Sequence, residues 1–272
     1  PWPWSEPTVF GSPCRGERVN AIRFQKVSKI YRCSHLGRIT ETAGLVELDL
    51  DIPKGEVFGL LGLNGSGKTT AIKLLMGLHL PTTGEVETLG RRAPDVSVLA
   101  RIGYAPESAY LNKSLTGRES LRLFASLSHI PAANLERRVT DMLAKVGLDK
   151  AMDKSLSEYS KGMLQRASLA QALIHDPELV ILDEPVTGLD PLAIKEVRLL
   201  ILWLKSKGKT VLFSSHDISE VERVCDRIGI LSGGRLVKIM KQDEWHGKAD
   251  ALESAFAAAV VRTDGVGPIR ME

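Results

Sequence analysis

"GLNGSGKT", residues 62–69, decides how this chain is read. It lies inside "EVFGLLGLNGSGKTTAIKLLMGL" (56–78), with a continuous apolar run before the glycines and a helix-spaced one after them. A short apolar run ahead of a turn reads as a buried strand, and the spacing beyond it is helical. G-x-x-x-x-G-K-[ST] between a strand and a helix is a phosphate-binding loop; the competing reading is a glycine-rich turn that binds nothing. The glycines let backbone N–H groups converge on an anion, and the helix N-terminus adds partial positive charge. Gly62, Asn64, Gly65, Ser66, Gly67, Lys68, Thr69 and Thr70 therefore form the predicted nucleotide-binding set. Lys68 would reach the β- and γ-phosphates, and the Thr69 hydroxyl would ligate Mg2+.

Upstream, "AIRFQKVSKIYR" (21–32) and "LVELDLDIP" (45–53) alternate as strands do, which predicts an antiparallel β layer opening the domain. Downstream, the apolar spacing is helical from Gly117 to Leu148, broken at "HIPAAN" where Pro131 starts a second helix. "GMLQRASLAQALIHDP" (162–177) is a third helix, stopped at Asp176-Pro177. "ELVILDEP" (178–185) and "TVLFSSHD" (210–217) are continuous apolar runs suited to buried parallel strands, separated by the helix "PLAIKEVRLLILWLKSKG" (191–208). "IGILSGGRLVKIM" (228–240) reads as a hairpin turning on Gly233-Gly234, and "DALESAFAAAVV" (250–261) as a short final helix. The fold class expected is α/β, a P-loop NTPase (RecA-like) core with an N-terminal antiparallel β subdomain and an inserted α-helical subdomain.

"LVILDEP" sets Asp183 and Glu184 at the end of an apolar strand, where strand ends of an α/β sheet meet ligands. Asp183 suits the Mg2+ shell, and Glu184 suits a general base acting on the attacking water. Alone, the pair would be read as a solvated turn.

Composition narrows the classes. A 43% hydrophobic, 25% charged chain of 272 residues is ordinary for a globular protein, and a net charge of +3 does not mark a nucleic-acid binder. Cys14, Cys33 and Cys225 are too scattered for a disulfide framework or zinc site, which favours a reducing compartment. No apolar run approaches the roughly 18 residues of a membrane span, so the chain is expected to be soluble by itself. "PWPWSEPTVFGSPCRGERVN" (1–20), with three prolines in its first seven residues, is expected to be a flexible leader.

Taken together, these motifs resemble the ATP-binding subunit of an ATP-binding cassette (ABC) transporter, from about Phe24 to Met240. "GLNGSGKT" resembles the Walker A loop, "LVILDE" (179–184) the Walker B strand, and "TGLD" (187–190) the D-loop ending at Asp190. "SSHD" (214–217) supplies His216 as the switch histidine, and "YSKGM" (159–163) stands where the family writes LSGGQ. The resemblance implies two cassettes packed head to tail around two ATP molecules, each ATP touching Walker A of one subunit and the signature of the other. The partners it implies are transmembrane permease subunits and a second ABC ATPase subunit, a homodimer or a close homologue. It places the chain peripherally on the cytoplasmic face of the inner membrane. His216 would bond the γ-phosphate and hold Glu184, and Tyr31 would stack on adenine, a buried sheet tyrosine being the other reading. The implied layout is a cassette over 21–245 with the helical subdomain at about 108–163, then a C-terminal helix and tail over 246–272.

Two positions depart from the family. Glu107, in "GYAPES" (103–108), replaces a frequent glutamine, and its carboxylate can ligate Mg2+ at least as well as an amide. In "YSKGM", Ser160 and Gly162 keep the signature serine and second glycine, while Lys161 and Met163 replace the first glycine and the glutamine. Lys161 would either favour the phosphate or point to solvent. "GYAPE", "YSKGMLQR" and "ALESAFAAAV" resemble bacterial exporter cassettes, so the function expected is an ATPase subunit powering an exporter. The alternatives are a soluble cassette ATPase acting on nucleic acid or the ribosome, and a silent nucleotide-binding module. Scattered basic residues speak against the first, so no nucleic acid is expected; Lys68, Asp183, Glu184 and His216 speak against the second.

Overall fold

The computed structural model describes residues 19–35, 38–248 and 250–264. The expected leader, apart from its last two residues, lies outside them, as do Cys14 and residues 265–272 of the tail. In chain order, β1 (Asn20–His35) and β2 (Arg38–Pro53) precede β3 (Val57–Leu61) and α1 (Lys68–Leu75). There follow β4 (Thr83–Thr88), β5 (Arg91–Arg92), α2 (Val96–Leu99) and β6 (Ile102–Ala105). The helical stretch holds α3 (Gly117–Leu127), α4 (Ala132–Lys145), a 3-10 turn at Leu156–Glu158 and α5 (Lys161–Leu173). Then come β7 (Leu179–Asp183), α6 (Pro191–Ser206), β8 (Thr210–Ser215), α7 (Ile218–Val224), β9 (Arg227–Ser232) and β10 (Arg235–Lys241). The described chain ends with α8 (Gln242–Trp245) and α9 (Ala251–Asp264).

The strands form two sheets, β2-β1-β4-β5, all antiparallel, and β10-β9-β3-β8-β7-β6, parallel except for β10. Side chains alternate across a strand. In the central sheet Val57, Leu61, Val180, Leu182, Val211 and Phe213 enter one core with the helical stretch and α6. Their neighbours Phe58, Leu60, Leu179, Ile181 and Leu212 enter a second core, with α1 and the antiparallel sheet. A strand covered on both faces has no polar side to show, which is why these segments read as unbroken apolar runs.

Local chemistry explains the helix starts. Thr116 and Glu119 form a reciprocal capping box on α3, Pro131 precedes α4, and Asp190 caps α6 with Pro191 at its first position. Trp245, fully buried, donates its indole N–H to the Glu222 carbonyl at 3.3 Å and ties α8 to α7. The sequence reading missed β6: four residues beginning with Ile-Gly are too short to show a period. Pairing with β7 makes them a strand and delivers the loop that carries Glu107.

Candidate nucleotide site

The turn from β3 into α1 fits only a glycine at position 67. Gly67 has φ of 108°, and a Cβ there would stand 2.5 Å from the Gly44 carbonyl oxygen of β2. Residues 63–70 wrap one wall of a cleft of about 320 Å³. Ser66 Oγ is buried there without a hydrogen-bond partner among the described residues, an open donor. Lys68, also buried, folds back on its own loop: Nζ donates to the carbonyls of Gly62 at 2.6 Å and Leu63 at 3.2 Å. The same ammonium lies 3.2 Å from Glu184 Oε1. An anion entering the cleft would meet a cation already in place.

The acidic wall is built by β7 and β8. Asp183 ends β7, and Ser214, its partner in the β8 register, donates Oγ–H to Asp183 Oδ1 at 2.7 Å. The Ser214 Oγ also accepts the Glu184 N–H at 3.0 Å. Glu184 stands in the left-handed region at φ 49°, a conformation costing about 1–2 kcal/mol for a side chain of this kind. Its N–H bonds to Ser214 hold it there. Glu184 Oε2 then accepts His216 Nδ1–H at 2.7 Å and the Thr187 hydroxyl at 3.2 Å. A carboxylate only accepts, so Nδ1 carries the proton in this bond.

Burial pushes the Asp183 carboxyl above its usual range, and the Glu184 and Glu107 charges add to that, against hydrogen bonds from Ser214 and Thr69. Thr69 and Glu107 line the cleft, Thr69 hydrogen-bonds Asp183, and all three are hard oxygen donors. Among the described residues no cluster of three or more His, Cys, Asp or Glu could hold a metal unaided. A cation here would need further oxygens, such as phosphate. At the other end of the cleft, Tyr31 lies over Gly44, with its hydroxyl 3.3 Å from Thr70 Oγ1 and His79 edge-on at 5.6 Å between ring centres.

The cleft therefore gathers Tyr31, residues 63–70, Glu107, Glu184 and His216, while Gly62 and Asp183 adjoin these residues without lining it. Ser160, Gly162 and Asp190 do not line it. Ser160 caps α5, its Oγ accepting the Met163 N–H at 3.3 Å, and Asp190 Oδ1 accepts the N–H groups of Leu192 and Ala193, each at 3.0 Å. Lys161 is exposed, and its ammonium lies beside Gly188, which follows Thr187. Ser214 and Thr187 escaped the sequence reading. A hydroxyl ending an apolar strand, or beside a proline turn, carries no spacing signal.

A loop that presents amides and a lysine to phosphate, beside a buried acid oriented toward them, places the chain among the P-loop ATPases. The sequence profile of the family described as "ABC transporter" matches residues 45–187. An ABC transporter ATP-binding protein of Nostoc sp. is 50% identical over 227 residues, 83% of this chain and 68% of that one. The bacitracin transport ATP-binding protein BcrA of Enterococcus faecalis is 39% identical over 210 residues, 76% of this chain and 67% of that one. The dimeric, post-hydrolysis ATP-binding cassette MJ0796 bound to ADP and Pi superposes with a TM-score of 0.74 at 25% identity, covering 81% of this chain and 98% of that one. The chain belongs to the ABC transporter family, as an ATP-binding cassette with ATPase chemistry. It spans about two thirds of the length of these curated relatives.

Proposed function

We propose that the chain hydrolyses MgATP as one of two cassettes that power a membrane exporter. The observation that carries this reading is Glu184, held between Lys68 and His216 at the phosphate loop. Phosphates would draw Lys68 from the loop carbonyls, with Ser66 and the loop amides completing the cradle. Glu184 would take a proton from water as its oxygen attacks the γ-phosphorus; the bridging P–O bond then breaks and its electron pair leaves with ADP. Thr69, Asp183 and Glu107 would hold Mg2+, which supplies charge neutralisation at the phosphates. Ionised Asp183, its carboxyl raised by burial, costs the folded chain stability as pH rises through its pKa, and a cation there offsets that cost.

Ser160, Gly162 and Asp190, absent from the cleft, would serve the nucleotide of a second cassette, and Tyr31 the adenine. The solved dimer of a similar cassette supports pairing, and the name of BcrA supports transport. Among the described residues no helix is long and apolar enough to cross a membrane. The permeases would be separate subunits, docked on the helical segment at about 108–163, which carries exposed Tyr110, Leu123 and Leu127. That would place the chain peripherally on the cytoplasmic face of the inner membrane. The test is size-exclusion chromatography of the purified chain with and without a non-hydrolysable ATP analogue and Mg2+. Nucleotide-dependent dimers are expected; a chain that stays monomeric at saturating nucleotide contradicts the paired-cassette reading.

Glu107→Gln removes one negative charge from the proposed cation site. One charge at about 4 Å from a divalent cation in water is worth about 2 kcal/mol, so the Mg2+ concentration for half-maximal ATPase should rise roughly thirtyfold. A titration unchanged from the parent would remove Glu107 from the metal shell.

A further inference from the structure

We propose that Thr187 is a positioning residue for hydrolysis: its hydroxyl holds Glu184 Oε2, leaving Oε1 as the oxygen that takes the proton of the attacking water. The inference rests on Glu184 acting as general base. The two oxygens of this carboxylate stand in different surroundings. Oε2 accepts from Thr187 Oγ1 at 3.2 Å and from His216 Nδ1 at 2.7 Å. Among the described residues Oε1, which is buried, has no hydrogen-bond partner, and it lies 3.2 Å from the Lys68 ammonium.

Two donors on one oxygen fix the carboxylate plane, because its terminal torsion is otherwise broad and roughly two-fold. They also engage the lone pairs of Oε2 and make it the weaker base of the two. Once phosphates draw Lys68 away, Oε1 is the open acceptor. A water O–H then breaks with its proton passing to Oε1, the water oxygen bonds the γ-phosphorus, and ADP departs with the electrons of the bridging bond. Each atom moved is accounted for by the reaction already proposed.

Thr187 is held for this task by its backbone. Its N–H donates to the Glu184 carbonyl at 3.2 Å, so residues 184–187 close a turn that aims the hydroxyl at Oε2. On the far side of the turn Lys161 covers Gly188, whose φ of 68° suits glycine. His216 alone, with nearly half of its side chain exposed, is a looser anchor.

The test compares Thr187→Val and Thr187→Ser in the full chain, each also combined with Glu184→Gln, by steady-state ATPase, ATP binding and thermal unfolding. Thr187→Val should lower kcat about tenfold, the scale of one hydrogen bond to a charged group, with the Kd for ATP within about twofold of the parent. Thr187→Ser, which keeps the donor, should recover most of that loss. In the Glu184→Gln background Thr187→Val should cost nothing further, since the side chain it orients no longer has an Oε1 able to take a proton. Should the valine variant not fold, Thr187→Ala carries the same comparison. A parental kcat for Thr187→Val, a serine variant no better than valine, or an additive loss in the Glu184→Gln background overturns the proposal. A Glu184→Gln chain hydrolysing at the parental rate overturns the base assignment along with it.

Discussion

Replacing Glu184 by glutamine is expected to slow ATP hydrolysis by about two to four orders of magnitude while leaving ATP bound, the range that general-base removal spans. Glutamine keeps the shape and an oxygen able to accept from His216 and Thr187, so the turn at 184–187 survives. What it loses is basicity at the oxygen beside Lys68. It also removes one buried negative charge next to Asp183, which that carboxyl registers as a push upward in pKa. Relief of that repulsion opposes the loss of the buried Lys68–Glu184 ion pair, so thermal unfolding without nucleotide reports the net effect, and retained ATP binding shows that the lost rate is chemical. Because the γ-phosphate is no longer cleaved, the nucleotide-bound dimer should accumulate with ATP itself. Hydrolysis at the parental rate by the glutamine chain would rule out Glu184 as the base.

Lys68→Met is expected to act one step earlier, on binding. Lys68 is the buried cation of the cleft, and a hydrogen bond to a charged group is worth about 1.5–3 kcal/mol, so the Kd for ATP should rise roughly 10- to 100-fold. Ligand stabilisation scales with the logarithm of concentration over Kd. The rise in Tm that ATP gives the parent should then shrink or vanish at the same nucleotide concentration. The substitution also strips Glu184 Oε1 of the ammonium 3.2 Å away, leaving the buried carboxylate without that compensating charge. Some loss of Tm without ligand is therefore expected, and the nucleotide effect must be read as a difference within each variant. An ATP-induced Tm shift equal to that of the parent would show that Lys68 does not contact the phosphates.

The fold was legible wherever the pattern was long. The run 56–78 declares strand, turn and helix, and β7 and β8 announce themselves because both of their faces are covered. Short elements were not legible: β6, β5 and α2 span two to four residues, and only pairing or packing with distant segments makes them ordered. Strand order was equally hidden, since β3 sits between β8 and β9, more than 140 positions downstream.

The candidate site divides the same way. Lys68, Asp183, Glu184 and His216 could be named from sequence because each occupies a fixed place relative to a strand end or a glycine turn. Ser214 and Thr187 could not, for a hydroxyl is informative only through what lies within 3 Å of it. Lys161 shows the difference most plainly. By itself the sequence determined that a lysine stands where a glycine is usual. Only the tertiary structure decided that its ammonium lies on Gly188. Local pattern fixes the backbone path within an element, whereas contacts between elements depend on how the two cores bring β7, β8 and α5 together.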